Sequence, residues 1–116
     1  FLAGNHDKES RLRRLGKHNP LVFRLEETKI EEQLIVMCHY PMRSWNKRRY
    51  GTIHLYGHLH GLLDFNMRGR FEPYGKSMDV GVDAAFSHGF GYRPMAYGEI
   101  KEIMDSRLIW EFSDYE

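Results

Sequence analysis

Apolar residues fall in short runs separated by glycine, proline and charged stretches, the rhythm of a layered α/β chain rather than a helix bundle. Leu34-Ile35-Val36-Met37-Cys38 is unbroken apolar sequence, as in a strand buried on both faces. Pro41 ends it, because proline cannot donate to a ladder. Thr52-Ile53-His54-Leu55-Tyr56 is a second strand, rich in β-branched and aromatic residues. Leu21-Val22-Phe23-Arg24-Leu25 predicts a third, with charged Glu26 to Glu32 as its hairpin connection. Phe1-Leu2-Ala3 reads as the end of a strand, and residues 77–82 as a short strand in the glycine-rich stretch 62–96.

Two helices are expected. Lys8 to Leu15 is short and basic, with Asp7 as cap and Gly16 as stop. In Gly98 to Asp105, Ile100, Ile103 and Met104 fall at helical spacing, with Lys101, Glu102 and Asp105 opposite. Residues 108–112 read as a final strand or a frayed tail.

At 116 residues the chain is at most one domain. Seventeen Lys and Arg against sixteen Asp and Glu leave a net charge of +1, which gives no global attraction to nucleic acid or anionic lipid. A 41% hydrophobic content is enough for one modest core and too much for a disordered chain. The single Cys38 excludes an internal disulfide, and no apolar run reaches the roughly 20 residues that span a bilayer. The expectation is a cytoplasmic protein with no membrane partner. The Met-less start at Phe1, already strand-like, reads as a piece of a longer chain; removal of an initiator Met is the alternative.

The chemistry lies in three polar segments that each follow a strand-like run: Gly4-Asn5-His6-Asp7, His39-Tyr40-Pro41 and Gly57-His58-Leu59-His60. In an α/β sheet, loops beyond the strand carboxyl ends converge on one edge, where ligands bind. Asn5, His39, His58 and His60 are thereby expected to meet. Imidazole nitrogens and an amide oxygen suit Zn, Mn, Fe or Ni. With one residue between them, His58 and His60 suit two adjacent ions better than one, and flanking glycines are expected to give the tight path that turns both inward.

These motifs resemble the calcineurin-like metallophosphoesterase superfamily, and within it the small single-domain bacterial and phage phosphoesterases. Lys8, Trp45-Asn46, Ile53-His54-Leu55-Tyr56, Asp79-Val80-Gly81-Val82-Asp83 and Tyr92-Arg93-Pro94 add to the likeness, which spans residues 1 to about 105. The resemblance implies an α/β fold, the C-terminal part of a four-layer α/β/β/α sandwich, with 1–116 as one partial domain. It implies hydrolysis of phosphomonoesters or phosphodiesters at two divalent ions, of Mn, Zn, Fe or Ni. Asn5, His39 and His58 would bind one ion and His60 the other. His6 would assist the leaving oxygen, with Asp7 orienting its ring. The substrate would be a small phosphoester or nucleotide rather than polymeric nucleic acid.

The chain departs from the family pattern, because the Asp-x-His and Gly-Asp-x-x-Asp motifs that precede Gly-Asn-His-Asp are not in it. It is therefore expected to be inactive alone, and to self-associate or pair with a missing N-terminal segment. A rival reading is a degenerate, non-catalytic metal- or phosphate-binding interaction module.

Other residues have two readings each. His54 is expected to pack or support rather than ligate, and His18 and His88 to be solvated. The basic stretch with Arg43, Lys47, Arg48 and Arg49 around Trp45 either grips an anionic substrate or nucleic-acid backbone, with Trp45 as a stacking platform, or is a solvated loop. The loop reading is preferred. One of Asp79 and Asp83 is expected to cap a turn or support the histidine loops, and Cys38 to be a packing thiol.

Overall fold

The computed structural model of the chain describes Leu2, Gly4, Lys8, residues 24–60 and 75–107, and Ile109. Within these lies a small α/β fold. Strand β1 is Leu25–Ile30, β2 Gln33–Cys38, β3 Ile53–Tyr56 and β4 Ser77–Asp79; helix α1 is Val82–Ser87 and α2 Tyr97–Asp105. A short 3-10 turn, Arg48–Tyr50, sits between β2 and β3. The four strands form one mixed sheet in chain order. β1 is antiparallel to β2, while β2, β3 and β4 run parallel.

The apolar runs at 34–38 and 52–56 are strands as expected, and the periodic segment at 98–105 is a helix that starts one residue earlier. The first hairpin differs. Glu26 to Ile30, read as a connection, is most of β1, and the reversal is only Glu31-Glu32. Both glutamates are left-handed, with φ of 48° and 67°, the geometry of a two-residue hairpin turn. An exposed strand with one described partner tolerates Glu26, Glu27 and Lys29, and charge there discourages edge pairing. The strand expected at 21–25 and the helix at 8–15 lie outside the described residues apart from Arg24, Leu25 and Lys8. Helix α1 was not expected; the strand proposed for 77–82 stops at Asp79 and the chain turns into α1 at Gly81.

Parallel register decides which side chains share a face. Ile35 lies beside Ile53, Met37 beside Leu55, and Leu55 beside Met78. These residues form a core with Ile100 and Met104 of α2. Val36 lies beside His54, and His54 beside Ser77, on the opposite face. The 41–52 segment closes over that side: Trp45 packs on the His54 ring at 5.0 Å, and its Nε1–H donates to the Thr52 carbonyl at 2.9 Å.

Helix α2 is fixed at both ends. The Glu99 carboxylate accepts the Ala96 N–H at 2.8 Å, one half of a capping box, and a fork of two bonds from Arg93 at 2.9 and 2.6 Å. Those donors hold the Glu99 carboxyl near 2, against the usual 4.5. At the other end Lys76 Nζ donates to the Met104 carbonyl at 2.6 Å, satisfying one orphan acceptor. Among the described residues no helix is long and apolar enough to cross a membrane.

Candidate metal centre

β2, β3 and β4 end at Cys38, Tyr56 and Asp79 with their carboxyl ends side by side. The next segments begin at His39, Gly57 and Val80, so parallel pairing alone brings them to one edge. Backbone bonds lock them: Gly57 N–H donates to the His39 carbonyl at 2.9 Å, and Val80 N–H to the Tyr56 carbonyl at 2.8 Å. Between them lies a cleft of about 480 Å³ lined by His39, His58, His60, Asp79, Gly81, Val82 and Asp83.

His39 Nε2 and His58 Nδ1 stand 3.2 Å apart. Two nitrogens bound to one ion at about 2.0–2.2 Å, at tetrahedral or octahedral angles, stand about 3.0–3.5 Å apart. The separation matches that spacing, and an ion held by both nitrogens would replace the hydrogen bond that the two rings share here. Tyr40 packs on both rings, at 5.1 Å from His39 and 4.8 Å from His58, and limits their rotation.

His60 is held differently. Its Nδ1 lies 2.7 Å from Asp83 Oδ2, on the first turn of α1. With Nδ1–H donated to the carboxylate, the Nε2 lone pair is the one directed away from Asp83. His60 remains exposed, its side chain 76% accessible. Asp79 is fully buried, and its Oδ1 accepts the Gly81 N–H at 2.8 Å. Asp79 thus caps the turn into α1 while Asp83 steadies a histidine, so the two carboxylates take both roles expected of one.

Of the two flanking glycines Gly61 lies outside the described residues, and Gly57 does not supply the tight path of the 57–60 loop. Gly57 is not left-handed; His58 and His60 are, with φ of 70° and 54°. Histidine is among the non-glycine residues that enter this region most readily, and such conformations gather at functional sites. Glycine matters instead at Gly4, where a Cβ would come within 2.9 Å of the His39 Nδ1. The first motif therefore reaches the His39 ring at Gly4. Asn5, His6 and Asp7, like His18, lie outside the described residues. Among the described residues no three His, Cys, Asp or Glu side chains close on one point; the site consists of two pairs.

Other histidines and the basic stretch fall into place. His54 is fully buried: its Nδ1–H donates to the Val36 carbonyl at 3.0 Å and its Nε2 accepts the Met42 N–H at 2.9 Å. Burial lowers its pKa below 6.5, with the Val36 bond partly opposing. It is a packing residue, as expected. His88 is half-buried at the end of α1 rather than fully solvated. Trp45 and Arg48 are buried, 5% and 4% exposed, with the guanidinium 5.9 Å from the Trp45 ring centre. Neither is the stacking platform or solvated charge that the sequence suggested; Arg43, Lys47 and Arg49 are exposed. Cys38 is half-buried and lines a small apolar hollow beside Leu2, Met37 and Leu55.

The sequence reading missed α1, which supplies Val82 and Asp83, and missed the packing of Tyr40 on the His39 and His58 rings. The signal for Tyr40 was its place beside His39; α1 carried almost none, because only Ala84 and Ala85 of its six residues are buried. Comparison with protein-family models, with curated proteins and with solved structures returned no match.

Proposed function

We propose that this chain carries the His39, His58 and His60 side of a dinuclear metal centre that hydrolyses phosphoester bonds, within an α/β/β/α metallophosphoesterase sandwich. The observation that supports it most is the His39–His58 pair, its nitrogens 3.2 Å apart at the carboxyl edge of adjacent parallel strands. Mn, Zn, Fe or Ni ions, when bound, supply Lewis acidity and a hydroxide nucleophile at neutral pH. His39 Nε2 and His58 Nδ1 hold one ion. His60, its Nδ1 kept on Asp83, offers Nε2 to the other. Asp79, by accepting the Gly81 N–H, holds the turn into α1 beside the cleft in which a phosphoester would lie. In this reading Asn5 completes the first ligand set, and His6, oriented by Asp7, gives its proton to the departing oxygen.

The test is Mn²⁺ and Zn²⁺ titration by calorimetry, coupled to hydrolysis of bis-p-nitrophenyl phosphate by the protein that contains this chain. His39→Ala and His58→Ala are each expected to weaken metal binding about tenfold or more, and to lower turnover by at least as much. Affinity unchanged in both variants overturns the metal site. Metal binding lost in the variants, with no turnover in the unaltered protein, leaves the non-catalytic metal-binding module instead.

A further inference from the structure

One wall of the cleft continues into an exposed aromatic surface. Val82 lines the cleft and is 46% exposed. Phe86 follows it on α1 by four residues, so the two share a helix face about 6 Å apart along the axis. The Phe86 ring stacks on Tyr92, with centres 4.2 Å apart and planes 7° from parallel. Both rings remain open to solvent, 53% and 67% exposed. Tyr92 is not a loose loop residue, because its neighbour Arg93 is forked onto Glu99 of α2 and lies 5.3 Å from the Phe90 ring centre.

We propose that the Phe86–Tyr92 stack is a platform for a flat aromatic group of the substrate, a nucleobase attached to the phosphoester held at the histidines. This rests on the phosphoester reading of the cleft and adds the substrate class. Three features select that occupant. The ledge runs on from the cleft through Val82, with Phe86 about one helical turn further along α1. The stacked pair presents parallel ring faces, the geometry that nucleobases use on aromatic side chains. Among the described residues the ledge comprises three side chains, far less than the roughly 800 Å² per partner that a stable protein interface needs.

The experiment compares adenosine 5′-monophosphate, ribose 5-phosphate and adenosine by calorimetry, on the Mn²⁺-loaded protein and on its Phe86→Ala and Tyr92→Ala variants. Both side chains are exposed, and circular dichroism checks that the variants fold. The nucleotide is expected to bind about tenfold more tightly than the sugar phosphate, the size of effect typical of one stacked base. Each variant is expected to shrink that gap to less than threefold while leaving ribose 5-phosphate unchanged. Equal binding of nucleotide and sugar phosphate, or a gap that survives both substitutions, overturns the platform and leaves the phosphoester site standing. Adenosine that binds in a Tyr92-dependent way, with no binding of ribose 5-phosphate, keeps the platform and sinks the phosphate site. No binding of any of the three overturns both.

Discussion

The two faces of the sheet are built from different materials. Under α2, Ile35, Ile53, Leu55 and Met78 meet Ile100 and Met104 in an apolar core, with the polar bond from Lys101 Nζ to Gln33 Oε1 beside it. On the reverse side His54, Ser77 and Asp79 are buried with Trp45, Thr52 and Arg48, and order there depends on hydrogen bonds with defined partners. The apolar face supplies non-directional stability. The polar face fixes geometry: it sets the path of the segment between His39 and β3, and Asp79 at its end sets the turn that carries Asp83 to His60. Stability and positioning are thus divided between the sides of a single layer.

Changes on each side should break the protein in different ways. Met104→Ala opens a cavity in the apolar face and is expected to cost about 2–5 kcal/mol, read as a lower urea midpoint with an unchanged slope. An effect below about 1 kcal/mol would mean that α2 contributes little to the core.

His54→Leu fills the site with an apolar side chain but removes the acceptor for the Met42 N–H and the donor to the Val36 carbonyl, at an expected cost of about 1–3 kcal/mol. It also carries a pH signature. Burial lowers the folded pKa of His54, so the unfolded chain takes up a proton near 6.5 that the folded protein resists. Stability therefore falls as pH drops below about 6.5, until the folded group itself is protonated. Denaturation midpoints between pH 7.5 and 5 should show that slope in the parent and a weaker one in the variant; identical slopes would remove His54 as its source.

The smallest effect is expected on the exposed rim of the apolar side. The Glu99 carboxyl titrates near 2 when folded and near 4.5 otherwise. Its contribution is present above about pH 4.5 and fades as pH falls toward 2. Glu99→Gln should lower thermal stability slightly at pH 7 and by much less near pH 2, the loss being small because the pair with Arg93 is solvent-exposed. Equal losses at both pH values would show that the helix cap, not the charge, carries the effect.

The apolar face was the legible one. Strands β2 and β3 and helix α2 are announced by unbroken runs and one helical period, because burial against apolar neighbours leaves a compositional mark. β1 was displaced, since an edge strand with Glu26, Glu27 and Lys29 looks like a loop and Glu31-Glu32 carries no turn signal. The polar face was misread for a related reason. Trp45 and Arg48 sit among exposed basic residues; Trp45 is buried by packing on His54 and bonding to Thr52, partners that local sequence does not reveal, and the Arg48 guanidinium lies by the Trp45 ring. Of the candidate site, His39, His58 and His60 were placed at strand ends because neighbouring parallel strands must deliver their outgoing loops to one edge. The left-handed conformation of two of them was not legible, since histidine carries no obligatory backbone signature.

That conformation has an evolutionary consequence. At positions 58 and 60 glycine would adopt the same backbone at lower energy, and asparagine would be tolerated. Drift toward a sturdier loop therefore runs against retention of both imidazoles. A descendant freed from selection on its chemistry would be expected to lose the two rings early, while the sheet that presents them persisted.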